Sequence, residues 1–61
     1  MPDLFGITVL EQIACAEREV AMRKRAYPRF VENGNIRQDK ADREIEVMES
    51  IVETLKQLKG D

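Results

Sequence analysis

A chain of 61 residues, 36% of them charged and 43% hydrophobic, with a net charge of −2, has the composition of one small soluble helical domain. It contains one cysteine, Cys15, and no histidine, which excludes an internal disulfide and a cysteine–histidine zinc site. No apolar run approaches the roughly 18 residues of a membrane span. The opening residues lack the basic region of a signal peptide, and a lone thiol fits a reducing, cytosolic setting. So short a chain buries little surface, and without a disulfide or metal the expected way to complete a core is self-association.

Residues 1–7 read as a lead-in punctuated by Pro2 and Gly6, with Leu4, Phe5 and Ile7 available to pack back on a helix. Thr8 stands three residues before Glu11, the spacing of a capping box. From there the pattern is helical. Val9, Ile13, Ala16, Val20 and Tyr27 share one stripe, Val31 extends it, and Leu10, Ala14 and Ala21 widen it. Glu17 and Lys24 interrupt the stripe. They are expected either to reach out of a packed seam or pair across a dimer axis, or to line a pocket between subunits. Cys15, Met22 and Ala26 make the opposite face partly apolar, which calls for two neighbours. Pro28 lacks an N–H and biases Tyr27 away from helical geometry, so a kink is expected there. Asn33-Gly34 then stops the helix. The first helix is expected over about 8–33.

Asn35 is the expected cap of a second helix over about 36–59, with Gln38 completing a weaker capping box. Ala41, Ile45, Met48, Val52 and Leu55 follow at alternating spacings of 4 and 3, the seam of a helix pair. Ile51 and Leu58 flank that seam, and Val47 lies just beyond. Lys56 and Lys59 sit in the last turns, where the helix dipole favours positive charge. The expected fold is all-α: a single two-helix antiparallel hairpin, assembling as a homo-oligomeric helical bundle, with a C2 dimer the first choice.

Charge is distributed unevenly. Residues 23–43 hold seven basic side chains and three acidic ones, a net +4, while the rest of the chain carries −6. The turn end is therefore basic on an acidic protein. No histidine-based dyad, phosphate-cradling glycine loop or metal-ligand spacing is present, and Glu11 and Glu19 beside Cys15 disfavour its thiolate. The chain is thus not expected to be an enzyme or to carry a cofactor or metal. The basic end has three readings: locally paired, solvated charge; a site for a compact anion; or a duplex-DNA surface. The last is disfavoured because no basic face runs along a whole helix. For an anion, Arg23, Arg25, Arg29, Arg37 and Arg43 match phosphate oxygens, Tyr27 or Phe30 can stack on a base, and the start of the second helix offers backbone donors.

The runs Cys15-Ala-Glu-Arg-Glu-Val-Ala-Met-Arg, Tyr27-Pro-Arg-Phe-Val and Gly34-Asn-Ile-Arg-Gln-Asp-Lys-Ala-Asp-Arg-Glu-Ile carry a resemblance. Over about residues 12–56 the chain resembles short phage and prophage helical-hairpin proteins that share a Glu-Arg-Glu, Met-Arg, Tyr-Pro, Gly, Lys-Ala-Asp-x-Glu pattern. The matching positions are Glu17, Arg18, Glu19, Met22, Arg23, Tyr27, Pro28, Gly34, Ala41, Asp42 and Glu44; Arg37 departs, where such proteins often have Ser or Thr. The resemblance implies a phage accessory protein acting in the cytoplasm of a bacterial host. The leading expectation is an anti-defence protein that sequesters a small phosphate-bearing ligand, such as a nucleotide immune signal, without turnover. The alternative is an inhibitor or adaptor docking on a host protein through Cys15, Met22 and Ala26 or through the turn end.

Overall fold

The computed structural model describes residues 5–60, and Leu4, like the other terminal positions, lies outside them. Two helices, α1 (Val9–Glu32) and α2 (Gln38–Lys59), pack against each other as a hairpin measuring 42 × 20 × 16 Å. No strand occurs among the described residues, and no helix is long and apolar enough to cross a membrane.

Thr8 caps α1. Its backbone is extended, and its hydroxyl oxygen accepts the Glu11 N–H at 3.1 Å, which satisfies one of the free donors of the first turn. The return half of the expected box differs: the Glu11 carboxylate faces the Thr8 hydroxyl at 3.4 Å. Of the lead-in apolar residues, Phe5 is 78% exposed and Ile7 lies at the edge of exposure.

Pro28 does not divide α1, which continues through it to Glu32. Proline removes the donor that Lys24's carbonyl would otherwise receive. Pro28 is exposed at the rim of a groove that Gln38, Ala41 and Ile45 of α2 share, while Tyr27 and Val31 are half-buried. Packing of those two neighbours holds the last turn helical against the local preference of Tyr27-Pro28.

The helix end is a Schellman motif. Gly34 adopts φ +76°, its N–H bonds the Val31 carbonyl at 3.0 Å, and the Asn35 N–H reaches back to the Phe30 carbonyl at 2.8 Å. This corrects the expected start of the second helix. Asn35 is used in closing the first helix, Ile36 completes the reversal of the chain, and Arg37, not Asn35, is the N-cap of α2. Arg37 supplies no side-chain cap, and Gln38 donates to Asp42 at 2.9 Å instead of closing a box.

The seam between the helices is thin. Among the described residues only Ile13, Ala16, Ala41 and Val52 are buried, none of them below 2% exposure. Val9, Val20, Tyr27, Val31, Ile45, Met48 and Leu55 complete it as half-buried residues. A fully buried aliphatic side chain contributes about 1.5–3 kcal/mol; two of the four buried residues are alanines, so the hairpin by itself has a small hydrophobic reserve.

Candidate functional site

Successive residues on a helix are about 100° apart, so Arg23 and Lys24 leave the seam on opposite sides. Lys24 pairs with Glu49 at 2.9 Å, and Glu17 pairs with Lys56 at 3.5 Å. The two residues that interrupt the apolar stripe are therefore matched within one hairpin, each reaching the other helix across the same flank. That flank is closed by charge.

Arg23 turns to the other flank. Its Nε donates to Glu19 at 2.8 Å, and its Nη1 donates to the Glu44 backbone carbonyl at 3.2 Å and lies 3.7 Å from the Glu44 carboxylate. The hydrogen bond to Glu19 holds the guanidinium above its ordinary pKa. Its charged carbon also lies 5.9 Å from the centre of the Tyr27 ring, a cation–π distance. Arg23 is thus committed to holding α1 against α2 at the base of Tyr27, with its side chain 22% exposed.

At the turn end, Tyr27, Phe30, Asn35, Ile36, Arg37, Asp39 and Lys40 surround an open groove of about 720 Å³. The Tyr27 and Phe30 rings are 6.0 Å apart and tilted at 38°, an arrangement that leaves ring surface facing outward. Arg37 bonds Asp39 at 3.1 Å, and Lys40 lies 3.7 Å from Glu44. Both cations are more than half exposed, so the pairs are loose surface ones that an anion can compete for. Behind them Arg37 supplies no side-chain cap to α2, and the Asp39 carboxylate accepts the Lys40 N–H of the first turn at 2.9 Å.

Of the seven residues expected to bind a ligand, the structure brings Tyr27, Phe30 and Arg37 together at this groove. Arg23 stands behind Tyr27. Arg25 borders a different, shallow depression with Cys15, Arg18, Glu19 and Met22. Arg29 is exposed in the last turn of α1. Arg43 points along α2 to Glu46 at 3.6 Å, with its side chain 75% exposed. The five arginines therefore radiate around the turn end; they do not converge. Ile36, Asp39 and Lys40 are groove residues that the charge count alone could not select.

No protein-family model matches the chain, and neither a curated protein nor a solved structure matches it significantly.

Proposed function

We propose that the chain is a binding protein whose turn-end groove holds a small phosphate-bearing ligand with an aromatic ring, of the nucleotide type, without turnover. The observation that carries this reading is the pairing of two tilted aromatic rings with Arg37 and Lys40 around one groove. A base stacks on Tyr27 or Phe30, and a phosphate takes the Arg37 fork and the Lys40 ammonium, displacing Asp39 from Arg37. Asp39 opposes anion binding, so affinity depends on that exchange and weakens with salt. The resemblance to phage accessory proteins makes cyclic and ADP-ribose-type nucleotide signals of bacterial immunity the first ligands to test, and sequestration in the host cytoplasm the role.

Isothermal titration calorimetry with such a panel tests the reading. Saturable heat that Tyr27→Ala and Arg37→Ala both abolish, while Arg43→Ala leaves it unchanged, supports it. No heat with any member removes it. The second reading, an inhibitor docking on a host protein, draws on the exposure of Met22 at 46% beside Cys15. A salt-resistant, stoichiometric partner from host lysate, with no nucleotide heat, favours that reading instead.

A further inference from the structure

The flank that carries Arg23 is the open side of the hairpin. On α2, Lys40, Glu44, Val47, Ile51 and Leu58 share one face by their spacing of three, four and seven. Val47 is 42% exposed, Ile51 43% and Leu58 70%. On α1 the matching face holds Gln12, Ala16, Glu19, Arg23, Ala26 and Phe30. Its charged members neutralise one another: Arg23 with Glu19 and Glu44, and Lys40 with Glu44. An apolar surface crossed by a self-balanced charge cluster is one that a second copy can cover without like-charge repulsion.

We infer that this flank is the interface of a C2 dimer in which a second copy lies antiparallel, face to face. Three observations select the occupant and its direction. The first is charge along the rod, since the turn end carries +4 and the remainder −6. An antiparallel copy sets each basic end on the partner's acidic end, whereas a parallel copy stacks basic on basic. The second is size. A 42 Å rod, 20 Å across, offers a footprint of the order of the roughly 800 Å² per partner that stable interfaces bury. The four buried residues of the isolated hairpin give a reason to need it.

The third is register. The inter-helix pairs Lys24–Glu49 and Glu17–Lys56 on one flank and Arg23–Glu44 on the other bracket a level near the middle of the rod at which Ala21 of α1 faces Glu49 of α2 to within about a turn. A two-fold axis through that level lays α1 on α1 and α2 on α2. Val47 then meets Ile51 of the partner subunit, and Glu19 meets the partner's Arg23. Apolar falls on apolar and acid on base. The same axis brings Lys40 opposite the partner's Leu58, so the partner's open end covers one side of the turn-end groove. The interface does not rest on the ligand reading: a dimer that takes up no nucleotide leaves the groove as the seat of the partner's Leu58.

Disulfide cross-linking tests both the face and the direction. Two proteins are made in a Cys15→Ala background, one with Lys40→Cys and one with Leu58→Cys, both at exposed positions that leave the seam untouched. Mixed and oxidised under mild conditions, they should give the mixed 40–58 disulfide as the dominant product. Dominant 40–40 and 58–58 products, or products in random proportion, overturn the antiparallel assignment. Sedimentation of the unmodified chain gives the second arm. A dimer mass that Val47→Glu converts to monomer supports the interface, and a monomer at every concentration overturns it and leaves the flank to a different protein.

Discussion

The two flanks of the hairpin are made by the same two helices and are treated in opposite ways. On one, Lys24–Glu49 and Glu17–Lys56 bridge the helices at 2.9 and 3.5 Å, and charge covers the surface apart from Leu10 near the open end, which is 60% exposed. On the other, Arg23 is drawn inward to Glu19 and Glu44, and Val47, Ile51 and Leu58 are left facing out. The difference teaches where such a small protein keeps its specificity. Surface ion pairs contribute little stability, typically 0–1 kcal/mol each, but they make the first flank unwelcoming to a second apolar surface. The other flank holds the area that the thin seam lacks. One face of the rod is thereby bridged by charge, and the other is the face proposed to take a second copy.

Substitutions on and between the flanks break or sharpen this comparison. Ile13→Ala sits in the seam that both flanks share, where Ile13 is 7% exposed, and should cost about 3 kcal/mol by chemical denaturation. It sets the scale for the rest. Ile51→Gln on the open flank should cost about 2 kcal/mol, with a midpoint that depends on protein concentration, because the proposed dimer covers the residue. A change within about 0.5 kcal/mol, the usual size for an exposed position, would mean the flank is solvated. Gly34→Ala touches neither flank. An added Cβ meets nothing within 4 Å, so only the φ of +76° matters, and the expected loss is about 1 kcal/mol at any concentration. Lys56→Gln, on the closed flank five residues beyond Ile51, removes the pair with Glu17 and should cost less than about 1 kcal/mol, with the small effect shrinking further in high salt.

Much of this arrangement was legible in the sequence. The alternation of 4 and 3 from Ala41 to Leu55 marked the seam of α2, and Asn33-Gly34 marked the stop, because these signals are local and each has a single structural solution. Pro28 was less readable. Its local preference was for a kink, and whether a helix runs on through a proline depends on the packing of Tyr27 and Val31 against the other helix. The start of α2 was misplaced because Asn35 suits both a cap and a Schellman closure, and only the path of the turn decides between them. The candidate site was the least readable part. A net +4 over residues 23–43 says that arginines are near in sequence, while helical phase sends Arg25, Arg29 and Arg43 away from the groove and commits Arg23 to Glu19. The pairing of Glu17 and Lys24 with α2 was likewise hidden, since partners 25 or more residues away leave no periodic trace.

The most direct test of the account is thermal unfolding of the unmodified chain over a wide range of protein concentration, followed by circular dichroism. If the open flank is completed by a second copy, unfolding is coupled to dissociation, and Tm rises steadily with concentration. A Tm that stays constant over that range, with a monomer mass throughout, would contradict the central claim that the thin seam is completed by self-association.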